Sequence, residues 1–159
     1  MTNTQTAAKT GTVRVSRIIK APAERVYKAF LDADAMAKWM PPGGYTGRFD
    51  PVDARVGGGF HGSFTSLDKK ESHSFGGTYL ELEPYSRIVH TDKFETDHPD
   101  MQNEMRVTVT FEEVEGGTEV KIVQENVPAM IPVEDATTGW NMSLDNLARL
   151  VEIPGHPDA

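Results

Sequence analysis

From Tyr45 to Glu125 the chain follows a predominantly two-residue hydropathy period, broken by turn chemistry at GGG (57–59), LDKKES (67–72), EPYS (83–86), TDHPD (96–100) and EEVEGG (112–117). That spacing predicts about six strands joined by tight connections, which favours an antiparallel meander. A sheet of this kind has an apolar face that needs a cover. The segment long enough to supply one is the last, where TTGWNMSLDNLARLVE carries Trp140, Leu144, Leu147, Leu150 and Val151 on one helical stripe, with Asn141, Asp145, Arg149 and Glu152 opposite. The helix is expected from near Pro132 to about Ile153, roughly 20 residues or about 30 Å, and Pro154-Gly155 ends it.

Before the meander, TVRVSRIIK reads as a strand with Val13, Val15 and Ile18 on its apolar face. The period then lengthens: Val26, Tyr27, Phe30 and Leu31 in APAERVYKAFLD mark a short helix that begins near Pro22. A second, ADAMAKWM, stops at Pro41-Pro42-Gly43-Gly44. One strand, two short helices, about six strands and a long helix make an α+β domain over residues 12–153, with tails at 1–11 and 154–159. Glycines 57, 58, 59, 62, 76 and 77 fall where strands bend, bulge or turn.

Composition narrows the function classes. The chain has 159 residues, no cysteine and a net charge of −8 without a basic cluster, which argues against a nucleic-acid backbone or an anionic membrane as partner. Without cysteine there is no disulfide, thiol nucleophile or thiolate metal site. No apolar leader or membrane-length apolar run is present, so a soluble cytoplasmic protein is expected. The five histidines lack metal-ligand spacing, RVGGGF lacks the ending of a phosphate loop, and Gly-x-Ser-x-Gly is absent, so neither metal nor cofactor is expected.

Strand parity separates an inner face from an outer one. Val107, Val109 and Phe111 share a face, as do Val120, Ile122 and Gln124, Ile88, His90, Asp92 and Phe94, and Phe60, Gly62 and Phe64. His90, Asp92 and Gln124 are therefore polar groups on apolar faces, and each needs a partner, a water or a ligand. His90 and Asp92 have three readings: bonds to each other or to backbone or a place at a strand end open to water, polar anchors in a ligand cavity, or an acid–base pair. No nucleophile stands beside them. Tyr79 competes with Leu80 and Leu82 for the inner face, and a bulge would decide the register. Gly139 beside Trp140 fits either a close helix–sheet contact or unfilled space.

The segments AERVYKAFLDADAMAKWM, DARVGGGFHGSF, LELEPYSRIVHTDKF, MRVTVTFEEVEGGTEVKI and GWNMSLDNLARLVE resemble, in that order, the START-like superfamily, also called SRPBCC or Bet v 1-like. Within it the chain is similar to the family of the C-terminal domain of the activator of Hsp90 ATPase. The resemblance covers about Val13 to Glu152. It implies a helix-grip fold: a curved, mostly antiparallel sheet of about seven strands around the C-terminal helix, enclosing a hydrophobic cavity. Gly139 then spares room and Trp140 walls the cavity.

The resemblance covers lipid binders, polyketide cyclases and antibiotic self-resistance proteins. The leading expectation is a binder of a small hydrophobic or amphiphilic molecule such as a lipid, polyketide or aromatic metabolite. Its apolar part would lie against Trp39, Phe60, Phe64, Tyr79, Trp140 and Leu144, its polar end near His90, Asp92 and Gln124. A cyclase- or lyase-type enzyme using the same cavity and an Hsp90-activator-like interaction module are the alternatives. The N-terminal domain that accompanies true Hsp90 activators is not expected here, and His90 and Asp92 stand where the family often carries aromatics. A homodimer is compatible with the sequence and a chaperone partner is implied by the resemblance alone.

Overall fold

The computed structural model describes residues 10–152. The elements, in chain order, are β1 (Gly11–Ile19), α1 (Ala23–Ala29), α2 (Ala33–Trp39), β2 (Tyr45–Phe49), β3 (Gly59–Ser66), β4 (Ser72–Glu83), β5 (Arg87–Glu95), β6 (Met105–Val114), β7 (Gly117–Val127) and α3 (Val133–Val151). Gly11, assigned to the tail, opens β1; the rest of that tail to residue 9, the stop at Pro154-Gly155 and the tail at 154–159 lie outside the described residues.

The meander expected from the turn spacing is present as six consecutive antiparallel strands, β2 to β7, and β1 adds to β7 to complete the sheet order β1-β7-β6-β5-β4-β3-β2. The sheet curls into a half-barrel with α3 against it. Leu144, Leu147, Ala148 and Val151 of α3 bury their side chains in one core with Val13, Val107, Val109, Val120 and Ile122. Apolar burial is the main stabilising term here, and truncating Leu147 to Ala would cost about 2–5 kcal/mol.

Polar ties fix where α3 sits. Ser143 Oγ donates to Met40 O (2.6 Å), and Asn146 Nδ2 donates to Trp39 O (3.3 Å) and Pro41 O (3.2 Å). Those carbonyls are exposed by the end of α2, where Pro41 and Pro42 prevent further helical pairing. At the other end of α3, Arg25 Nη1 donates to Val151 O at 3.1 Å, a cation on the orphan carbonyls of a helix C-terminus.

Two strands carry register surprises. In β1, Val13, Val15 and Ile19 are buried and Ile18 is 51% exposed, which corrects the expected inward Ile18. A strict two-residue period from Val13 puts Arg17 in that slot instead, and its guanidinium reaches Asp145 of α3 at 3.1 Å. In β4 the pairing with β5 slips between Tyr79 and Glu81. The bulge absorbs Leu80, which points outward, so that Tyr79 before it and Leu82 after it both join the core.

Candidate functional site

A cavity of about 470 Å³ lies between the sheet and α3. Gly139 answers the question raised by its neighbour: a Cβ built on it meets nothing within 4 Å, so the glycine faces open space in the cavity rather than a close helix–sheet contact. Phe60, Phe64 and Trp140 line the wall, as do His90, Asp92 and Gln124. The sheet brings these together because β3, β5 and β7 present alternate residues to the same concave side.

Three residues expected on the wall are packed behind it. Trp39 is fully buried, its Nε1 donates to Ala29 O at 2.9 Å, and its ring tilts against Phe30 at 4.7 Å. Leu144 is one turn beyond Trp140 and lies inside the core stripe. Tyr79 is 2% exposed, and its hydroxyl has no hydrogen-bond partner among the described residues; burial raises its pKa. The sequence reading also passed over wall residues. His73 and Phe75 share a face of β4 two residues apart, and Met105 stands two before Val107 on β6; parity from Val107 would have found Met105, whereas His73 and Phe75 depend on the register of Tyr79, which the sequence leaves open.

The polar end of the cavity is defined by hydrogen bonds. In β4–β5, Thr78 N–H donates to the Thr91 hydroxyl at 2.9 Å instead of to a strand carbonyl. The Thr91 carbonyl then accepts from His90 Nδ1 at 2.7 Å. A carbonyl only accepts, so Nδ1 carries the ring proton and Nε2 of the neutral imidazole is an acceptor. Burial pushes the His90 pKa down to about 4, against a smaller upward pull from the Thr91 bond, so the ring is neutral at pH 7.

Asp92, two residues on and on the same side of β5, is in the opposite condition. Burial pushes its carboxyl pKa up to about 7, opposed by the Lys93 amide, and its Oδ1 has no hydrogen-bond partner among the described residues. His90 and Asp92 do not bond each other; each has a backbone partner, Thr91 O for the imidazole and the Lys93 amide for the carboxylate, which leaves Asp92 Oδ1 over. Both keep a partly open surface although protein surrounds them, because what they face is the cavity. Gln124 is more nearly satisfied: its Oε1 accepts from Trp140 Nε1 at 2.8 Å and its Nε2 donates to Met105 Sδ at 3.3 Å.

His73 lies at the wall among Tyr45, Phe64, Phe75 and Phe94, with ring centroids 5.9–6.4 Å away, and burial lowers its pKa. His61 is outside the cavity, its ring nitrogens 2.9 Å from Asp50 and 2.7 Å from Glu95. Its pKa is raised, chiefly by the Asp50 hydrogen bond. Among the described residues no group of three or more His, Asp or Glu is placed to hold a metal ion, and no helix is long and apolar enough to cross a membrane.

The fold finds parallels in solved proteins. A crystal structure of a Chromobacterium violaceum protein is 45% identical, covers 89% of this chain and 96% of its own, and superposes with a TM-score of 0.84. The solution structure of an AHSA1-like protein from Aeromonas hydrophila is 24% identical, with 91% and 94% covered and a TM-score of 0.73. A Nitrosomonas europaea protein at 19% identity has the same fold, with 89% and 94% covered and a TM-score of 0.73. No curated protein matches the chain. Residues 20–152 match the family described as activator of Hsp90 ATPase homolog 1-like protein, and the chain belongs to that family.

Proposed function

We propose that this domain binds a small amphiphilic molecule in the cavity between the sheet and α3. The observation that carries the reading is the unpartnered Oδ1 of Asp92 in an otherwise largely aromatic and aliphatic cavity. An orphaned buried polar atom costs about 1–3 kcal/mol, a cost that a ligand donor would offset. A volume of about 470 Å³ is also within the usual range for small-molecule sites, about 300–1,000 Å³. The apolar part of the ligand would lie against Phe60, Phe64 and Trp140, and its polar end at His90 and Asp92.

Native mass spectrometry of the gently purified protein tests this. A discrete added mass, lost in a Gly139→Leu variant that fills the open space, supports it. A bare protein that also fails to take up a neutral fluorescent dye refutes it.

The family match favours a second reading, an Hsp90-activator-like interaction module. That reading predicts stimulation of a chaperone ATPase by the wild-type chain, undiminished in the cavity-filled variant.

A further inference from the structure

We propose that the ligand of this cavity carries a protonated amine at its polar end. The proposal rests on the binding reading above and adds the chemistry of the head group. It follows from the atoms left over once the protein has bonded to itself. Among the described residues Asp92 Oδ1 has no partner, and His90 Nε2 is an acceptor because Nδ1 is committed to Thr91 O. An ammonium has donors and no acceptor, whereas a carboxylate has acceptors only and would face both atoms unfavourably.

The charges around the cavity have the same sense. Among the described residues its wall holds two carboxyl residues, Asp92 and Asp135, and no lysine or arginine. Its two histidines, His73 and His90, both have lowered pKa values. The positive feature nearby is the N-terminus of α3, where Glu134 and Asp135 in the first turn already offset the helix dipole. Among the described residues an anionic head therefore has no cation to meet, while a cation has the Asp92 carboxyl, whose ionised form it would favour, and the aromatic rings of Phe60, Phe64 and Trp140.

The test uses the full chain, a neutral fluorescent dye in the cavity, and three competitors of one chain length: decylamine, decanol and decanoate. The amine should displace the dye at concentrations about tenfold below the carboxylate, equivalent to about 1.4 kcal/mol. Asp92→Asn, still folded by circular dichroism and still binding the dye, should lose most of that preference. Decanoate binding as tightly as the amine, decanol binding more tightly, or a preference unchanged in Asp92→Asn overturns the amine assignment and leaves cavity binding standing. Failure of the wild-type chain to bind the dye or any competitor overturns the binding reading beneath it. The wild-type order of head groups decides the question even if Asp92→Asn does not fold.

Discussion

The indole Nε1 of Trp140 donates to Gln124 Oε1 at 2.8 Å, joining α3 to β7 at the edge of the cavity. Trp140 is thus held by a polar bond on a helix whose attachment to the sheet is mainly apolar, with the Arg17–Asp145 pair as a further polar tie. Trp140→Phe keeps most of the ring area and removes the donor. It should destabilise the domain by about 1–3 kcal/mol in urea unfolding, and Gln124→Leu should cost less in that background than in the wild type. Equal costs in both backgrounds would show that the bond contributes nothing.

Gly139 lies in the interior of α3 with open space where a Cβ would stand. Alanine there should therefore gain the helix-propensity difference, about 1 kcal/mol, without a clash to offset it. Gly139→Ala should raise Tm, and Gly139→Leu should bind the dye at least tenfold more weakly while staying as stable as the wild type. A fall in Tm for the alanine variant would mean that the space is closed in solution.

How much of this was legible in the sequence depends on which force decided each feature. The period of two from Tyr45 to Glu125 and the stripe from Trp140 to Val151 are dictated by burial, and both elements are where periodicity puts them. The direction of Tyr79 was not readable, because the bulge at Leu80 comes from the pairing with β5 and leaves alternation intact on both sides of it. Phe60, Phe64 and Trp140 were found on the wall because parity and helical spacing are local. Trp39 was misplaced because its position depends on the packing of α2 against α3, through contacts such as Asn146 to Trp39 O, and no local pattern encodes that distance. The protonation states of His90 and Asp92 were likewise unreadable, being set by depth rather than by residue type.

Burial moves those two groups in opposite directions, and the pH dependence of stability should show it. The folded pKa of His90 is lowered to about 4 from an ordinary 6.5. Between those values the unfolded chain binds more protons, so this residue makes stability rise with pH. The folded pKa of Asp92 is raised to about 7 from 3.8. Between those values the folded chain binds more protons, so this residue makes stability fall as pH rises. From about pH 4 to 6.5 the two contributions oppose each other.

His90→Phe should therefore unmask a decline across that window, and Asp92→Asn should unmask a rise, each relative to the wild type and each at most about 1.4 kcal/mol per pH unit. Other groups facing the pair, His73 and Tyr79 on β4 and Asp135 on α3, are common to all variants and drop out of the differences. Parallel profiles of wild type and both variants in urea titrations at a series of pH values would refute the assignment.

Tyr79 offers a check on the core beside the cavity. Its ring is 5.9 Å from both Phe60 and His90, while its buried hydroxyl has no partner. Removing an unbonded hydroxyl recovers the desolvation cost of the oxygen and leaves the ring contacts in place, so Tyr79→Phe should be neutral or stabilising by about 1 kcal/mol. The effect on binding separates two roles for the same atom. If the hydroxyl reaches a bound ligand, the phenylalanine variant will gain stability and lose affinity together. If it is only an orphan of the fold, affinity for the dye and for decylamine will not change. A loss of more than about 1 kcal/mol in stability would contradict both, because it would require a hydrogen bond that the core does not contain.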